Sequence, residues 1–434
     1  MRKLQPLTEP NQPNGWHPPS MRTGPHLLAH AHPPQPRIGI AGPIEYGALR
    51  DLLDAPSLER IRTAKLVGNG GTPVVLLVRE LIRRGRQVVV VTLDPGLAPG
   101  TQLTLRGPQL LIRAGGLRGP RARALDLFAA ERRFIAQAVR EEAPSVVHAH
   151  WTYEFALGAL DGGRPTLVTA HDAPWWVLRY DHHPYRILRT LMALRSAKRI
   201  TMLTTVSPYV ADHWRRLLKY RGALTTIPNG MPETMFTDQT RLPAHPEALV
   251  FATILQGWMG RKNGQNAILA FAAVRQHHPG CTLRMYGDGH GPDGPAQHWA
   301  RARGIDAGIS FEGKHPYASL MQQVRESVDV LVHPSLEEAH PMVLIECMAM
   351  GIPAIGGKAA GGVPYSLNYG KAGLLCDVTA PADIARAMSR LVEEPGLYGR
   401  IGQAGCDYAR EHFSIGHVVD LYEEAYAKTI ACGT

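Results

Sequence analysis

The sequence predicts an α/β protein built from two doubly wound, parallel-sheet domains that face each other across a cleft. Three observations carry this. From Arg37 onward, short apolar runs rich in Val, Ile and Thr alternate with amphipathic stretches, as doubly buried strands alternate with covering helices. A polar, proline-bearing break from Pro232 to Pro246 shows neither period, and a second α/β series follows it. A chain of 434 residues also exceeds what one ordinary core holds.

The elements follow in order. Residues 1–36 contain nine prolines and little periodic apolar pattern, the composition of a flexible tail. Its histidines, His26, His30 and His32, stand at irregular spacing and read as a solvated arm rather than as metal ligands. The first domain, 37–232, opens with the strand RIGIAG. The helix TPVVLLVRELIRRG carries Pro73 in its first turn and Gly85 at its C-terminus. QVVVVTLD is a strand, RALDLFAAERRFIAQAVREE a helix, and SVVHAH, PTLVTAHD, ITMLTTVS and LTTIPNG complete the half. After the linker 233–246, the second domain, 247–415, reads as ALVFATIL, the helix GQNAILAFAAVRQHH, TLRMYGDG, a helix around PAQHWARARG, ISFEG, ASLMQQVRES, VDVLVHPS, an apolar helix after Pro341, PAIGG and AGLLCD. Two more helices follow. The last, Val418 to Ile430 within 416–434, comes after a complete sheet and is expected to pack back on the first domain.

Composition narrows the function classes. No apolar run reaches the ~18 residues of a membrane span, and no apolar signal core follows Arg2 and Lys3, so a cytoplasmic protein is expected. The five cysteines, Cys281, Cys347, Cys376, Cys406 and Cys432, lack CxxC or zinc-ligand spacing and read as reduced structural thiols. Net charge is +10, from 47 basic and 37 acidic residues. Between Trp175 and Arg221, ten Lys or Arg face only Asp181 and Asp212, a surplus of +8. Such a patch attracts lipid head groups, nucleic acid or a phosphorylated substrate. No recognised nucleic-acid module accompanies it, so nucleic acid is not expected as a partner.

Ligands of open α/β sheets bind outside the carboxyl ends of strands. The polar residues at such ends are His148, His150, His171 and Asp172, the run Gly68-Asn69-Gly70-Gly71-Thr72 before a helix, Arg261-Lys262-Asn263, and Gly287-Asp288-Gly289. Glycines allow backbone N–H groups to approach an anion, although plain turns use them too. Arg261 and Lys262 suit a pyrophosphate; a solvated loop is the competing reading. In SLEEAHPMVLIECMAMGIP, Pro341 is expected as the first helical residue, which leaves the N–H groups of Met342, Val343 and Leu344 directed at a phosphate. Glu338 then lies ahead of the helix, placed to reach a sugar hydroxyl. Glu346 lies inside it, placed to accept from a ribose diol. Phosphate at a helix tip with a carboxylate on either side is the shape of a sugar nucleotide.

Two glutamates separated by seven residues, followed by Met348-Ala349-x-Gly351-x-Pro353, closely resemble the retaining nucleotide-sugar glycosyltransferases of family 4, which have the GT-B fold of two Rossmann-like domains. GNGGTPVVLLVRELIRRGRQVVVVT, VVHAH, TLVTAHD, TTVS, IPNGM, GRKNGQNAILAF, GDG, DVLVHPS and GGVP stand in the family's order over roughly residues 37–430. The resemblance implies an acceptor-side first domain and a donor-binding second domain. It implies that Glu338 holds the transferred sugar, Glu346 the ribose, and Lys262 with Arg261 the pyrophosphate. His171 would line the sugar pocket, Gly70 and Gly71 would approach phosphates or acceptor, and Lys314-His315 would lie near the base, with Gly287 in the donor site. It implies transfer without a protein nucleophile, metal or cofactor, from a UDP-sugar by preference.

Departures are Ala339 and Pro341 where glycines are frequent, Trp258 where many members carry arginine, and 25 additional residues, Pro43 to Val67. The segment WWVLRYDHHPYRILRTLMALRSAKR mixes aromatic, leucine and basic residues as interfacial helices do, so a lipid-linked acceptor at the inner membrane face is expected, against a basic groove for a soluble acceptor. A sugar-nucleotide epimerase of the same fold and an inactive sugar-nucleotide-binding protein are the alternatives. A retaining glycosidase has no use for a phosphate-facing helix.

Overall fold

The computed structural model describes residues 37–433, so the expected proline-rich tail and its three histidines lie outside the described residues. The first sheet is formed by β1 (Ile38–Ala41), β2 (Val88–Asp94), β3 (Gln102–Arg106), β4 (Leu110–Gly116), β5 (Val146–His150), β6 (Thr166–Ala170), β7 (Met202–Thr205) and β8 (Ala223–Thr226). Their order is β3-β4-β2-β1-β5-β6-β7-β8, parallel except for β3, which runs antiparallel to β4. The second sheet holds β9 (Val250–Gln256), β10 (Thr282–Asp288), β11 (Ile309–Gly313), β12 (Val330–His333), β13 (Ala354–Gly357) and β14 (Leu374–Cys376). It is parallel throughout, in the order β11-β10-β9-β12-β13-β14.

Burial explains the pattern. All seven residues of β2 are buried, as a central strand with helices on both faces requires. On one face of the first sheet, Ile40 and Val90 pack with Leu77 of the helix Thr72–Arg83 and with Val418, Tyr422 and Tyr426 of the helix Ile415–Gly433. Arg84 ties these two helices together. It reaches Glu80 at 2.9 Å, Asp420 at 2.6 Å, Glu423 at 2.9 Å and the Gly416 carbonyl at 2.7 Å. The chain therefore crosses between the sheets twice, at Met231 and again at Ser414. The crossings are bonded to each other: Met231 N–H donates to the Phe413 carbonyl and Ile415 N–H to the Met231 carbonyl, both at 2.7 Å.

Three sequence readings need correction, and one departure, the segment 43–67, acquires a structure. The stretch RALDLFAAERRFIAQAVREE is two helices, Pro120–Leu125 and Ala129–Glu142, because Leu127 and Phe128 take left-handed φ of 53° and 61°. The β3–β4 hairpin was absent from the strand pattern. The segment 43–67 is an added cover, a 3₁₀ turn at Tyr46–Leu52 and a helix at Ala55–Thr63. It is stitched to β3 through Asp54 N–H to the Arg106 carbonyl (2.8 Å) and Arg60 to the Thr104 carbonyl (3.0 Å). After β14 come three helices rather than two: Pro381–Glu393, Leu397–Phe413 and Ile415–Gly433.

Candidate active site

The site is assembled from the loops after β9 and β12. Gly257, at φ 112°, turns the chain out of β9. Asn263 occupies a left-handed conformation at φ 55°, and its side-chain amide donates to the carbonyls of Pro334 (3.0 Å) and Val378 (2.8 Å). That clamp fixes the turn Gly260–Lys262 against the loop 335–341, where the Leu336 N–H donates to the Arg261 carbonyl at 2.8 Å. Lys262 Nζ then lies 2.6 Å from Glu338 Oε1. Arg261 donates to the Glu337 carboxylate and carbonyl, each at 3.0 Å, and lies 3.7 Å from Glu338. His333 Nε2, at the end of β12, is also 3.7 Å from Glu338.

Electrostatics separates the three carboxyls. Burial opposes charge on Glu338, but His333, Lys262 and Arg261 outweigh it and hold this carboxyl well below its usual range. At Glu337 burial wins over Arg261 and the pKa rises. Glu346, 4% exposed inside the helix Met342–Ala349, is pushed by burial to about 7, against the one hydrogen bond that it accepts from Tyr317 Oη at 2.8 Å. The site thus holds one firmly ionised carboxylate, paired with cations, and one that is poised to change charge.

Pro341 caps this helix and is not its first residue. One consequence corrects the sequence reading: the Leu344 N–H is taken by the Pro341 carbonyl at 3.2 Å. Among the described residues no acceptor lies on the amides of Met342 and Val343, so two amides rather than three point out of the helix tip.

Across the cleft, His171 follows β6. Its Nε2 is 2.9 Å from His150 Nδ1, its ring stacks on Trp151 at 4.5 Å, and burial lowers its pKa to about 3, so it is neutral. Beneath it, His148 bonds Tyr426 Oη (2.9 Å) and Thr169 Oγ1 (2.6 Å), which links β5 to the last helix. Direct bonds join the two halves at the loop 337–340: Ser207 Oγ donates to the Ala339 carbonyl (2.6 Å), and Asn229 donates to both the ring and the carbonyl of His340 (3.3 Å each).

Other predicted residues stand differently. A Cβ on Gly71 would meet the Pro43 carbonyl at 2.1 Å, so this glycine answers first to a close chain crossing, whereas Gly70 faces open space. Gly287 permits β10 to approach β9; a Cβ there would lie 1.9 Å from the Leu255 carbonyl. Lys314 is outside the charged cluster, at an exposed edge 3.1 Å from Asp288. Trp258 turns its indole inward against His290 and Trp299, which leaves Arg261 and Lys262 as the cations of this turn that face the glutamates. Sequence reasoning missed Glu337, His333 and Tyr317. The signal for His333 was present, a histidine ending a buried strand, but the other two depend on which side chain turns inward.

Comparison with known proteins agrees with this architecture. Residues 70–234 match the family model described as Glycosyltransferase Family 4, and residues 252–407 match that described as Glycosyl transferases group 1. A D-inositol 3-phosphate glycosyltransferase of Corynebacterium kroppenstedtii is 30% identical over 206 residues, 44% of each chain. An N-acetyl-alpha-D-glucosaminyl L-malate synthase of Bacillus anthracis is 23% identical over 306 residues, 67% of this chain and 77% of the relative. The structure of Anabaena HepE in complex with UDP-glucose superposes with a TM-score of 0.63 at 16% identity, over 91% of this chain and 100% of that one. The two domains and their cleft are those of a GT-B protein. Glycosyltransferase models thus cover both domains, family 4 on the first and group 1 on the second. The chain's alignments span about half or less of the length of the inositol-phosphate glycosyltransferases that it matches.

Proposed function

We propose that this protein transfers a sugar, with retention, from a UDP-sugar to an acceptor hydroxyl bound on the first domain. The observation that carries the reading is the Lys262–Glu338 pair at 2.6 Å, set beside the two free amides of the helix Met342–Ala349. A pyrophosphate arriving at that tip meets Lys262, Arg261 and the amides of Met342 and Val343. It takes Lys262 from Glu338 and so frees carboxylate oxygens for the sugar hydroxyls. Glu346 accepts from the ribose, and neutral His171 lines the sugar from the opposite wall. The departing phosphate, stabilised by the same groups, takes the proton of the incoming hydroxyl on the face that it leaves. The UDP-glucose in the HepE structure supports the choice of base, and Gly70, Gly287 and Lys314 complete the donor surroundings in this reading.

The acceptor in this reading is a lipid-linked saccharide or other glycan precursor at the cytoplasmic membrane face. Trp175 (40% exposed), Ile187 (49%) and Leu191 (55%) present apolar surface on the helices Pro174–Tyr180 and Pro184–Ala197, within the basic stretch 175–221.

Nucleotide release from UDP-, GDP- and ADP-sugars, with Glu338→Ala and Lys262→Ala as controls, tests the donor site. Slow UDP release that both variants lose is the expected result. Failure of every UDP-sugar to bind in calorimetry overturns the reading.

A further inference from the structure

On the first domain, at the carboxyl ends of β2 and β4, a cavity of about 660 Å³ opens beside this site. That size suits a small organic ligand. Its charged lining is Arg123, Arg186, Arg189, Asp181 and Glu154, with Asn69 from the glycine loop at its edge. Both acids are already matched. Arg186 holds Asp181 at 2.8 Å, and Arg189 holds Glu154 at 2.7 Å while lying 3.9 Å over the Tyr153 ring. Arg123 is the surplus cation. Among the described residues no carboxylate pairs with it; its guanidinium lies 5.3 Å from the Phe128 ring, and its buried Nε has no acceptor. The two-helix break at Leu127–Phe128 is what sets Arg123 at this wall. Arg189 links the cavity to the residues after β6: the Tyr153 ring beneath it donates its Oη to Asp172 at 2.7 Å, beside His171, and Asp172 feels the charges of Arg189, Arg186 and Arg261.

We infer that this cavity binds the acceptor by an anionic group, a phosphate or carboxylate, and that Arg123 is the residue that holds it. The inference rests on the transferase reading and names the acceptor class for it. A half-buried guanidinium without a carboxylate partner is poorly solvated, and a bidentate oxyanion supplies the missing acceptors. The two internal ion pairs leave the cavity one positive charge, so an acid gains there and a neutral polyol does not. Two relatives are named for acids of this kind, inositol 3-phosphate and L-malate. A phosphate on a lipid carrier offers the same chemistry.

The test is calorimetry on protein saturated with UDP, which occupies the donor phosphate site, titrated with sn-glycerol 3-phosphate, L-malate and glycerol. At least one acid is expected to bind saturably and ten-fold or more tighter than glycerol. Arg123→Gln, on a solvent-facing helix, is expected to weaken that acid at least ten-fold with UDP affinity unchanged. Co-flotation with phosphatidylglycerol vesicles that is lost in Arg123→Gln assigns the anion to a lipid head group; loss of free-acid binding alone assigns it to a soluble acceptor. No saturable binding of either acid or vesicle, or equal binding by the variant, overturns the inference. Should UDP fail to bind, the transferase reading falls, and the same titrations without UDP still decide whether the cavity takes an acid through Arg123.

Discussion

Replacing Glu346 by glutamine should make the protein more stable at alkaline pH and impair its donor site in the same step. Burial raises this carboxyl from its ordinary 4.5 to about 7. At about 1.4 kcal/mol per tenfold change in proton affinity, the fold bears a cost of about 3 kcal/mol once the group is ionised. The sign follows from the direction. Below about pH 4.5 folded and unfolded chains both hold the proton and the group is silent. As pH rises, the unfolded chain releases its proton first, so stability falls until the folded carboxyl also ionises near 7, and the full cost is present above that. Glutamine is neutral throughout. Urea unfolding of both proteins at pH 5 and pH 8.5 is the assay: Glu346→Gln should gain about 3 kcal/mol at the higher pH and little at the lower. UDP-glucose has no group that titrates in this window, and its affinity should drop about ten-fold or more, because a carbonyl and an amide replace two carboxylate acceptors. A stability difference that is the same at both pH values would refute the argument, since the effect would then not come from the proton.

Three further outcomes are expected. Lys262→Ala leaves Glu338 with Arg261 and His333, each at 3.7 Å, so thermal unfolding should show a loss of about 2 kcal/mol, less than for a pair with no second cation, together with abolished nucleotide release. Gly287→Ala places a methyl 1.9 Å from the Leu255 carbonyl at a φ of 112°; a loss of about 3 kcal/mol should appear in denaturant titration, and a neutral result would remove the close-approach explanation. The double variant Ile187→Glu, Leu191→Glu should leave donor binding intact while abolishing flotation with anionic vesicles; unchanged flotation would exclude this helix face as the membrane contact.

The legibility of this chain followed burial. Strands such as β2, four valines in a row and closed on both faces, announce themselves by composition alone. The β3–β4 hairpin did not, because β3 is an edge strand whose residues are partly exposed and whose partner runs antiparallel in an otherwise parallel sheet. The break at Leu127–Phe128 was hidden for another reason: two large residues sit in left-handed conformations that local propensity disfavours and tertiary packing imposes. At the site, residue types and spacing singled out Glu338, Glu346 and Lys262, and the structure brings Lys262 and Glu338 to 2.6 Å of each other. They could not say which of two neighbouring glutamates turns to Arg261, since Glu337 and Glu338 differ only in direction, and direction belongs to the loop. Nor could they count the free amides of the helix tip, which depended on whether Pro341 begins the helix or caps it.

The helix Ile415–Gly433 has a consequence for synthesis. Its Tyr426 bonds His148, 278 residues earlier, and its apolar face completes a core that β1 begins. From Thr226, where the first sheet ends, to Ile415 is nearly 190 residues. A ribosome takes roughly 10–40 s to add them. Throughout that interval the first sheet exists with one face only partly roofed, by the helix Thr72–Arg83, while the whole second domain is made and free to fold. The helix that seals the first domain thus leaves the ribosome after the whole second sheet. A nascent chain halted before Ile415 should bind chaperones through its first sheet, and a chain that includes Ile415–Gly433 should acquire protease resistance in that sheet after the second.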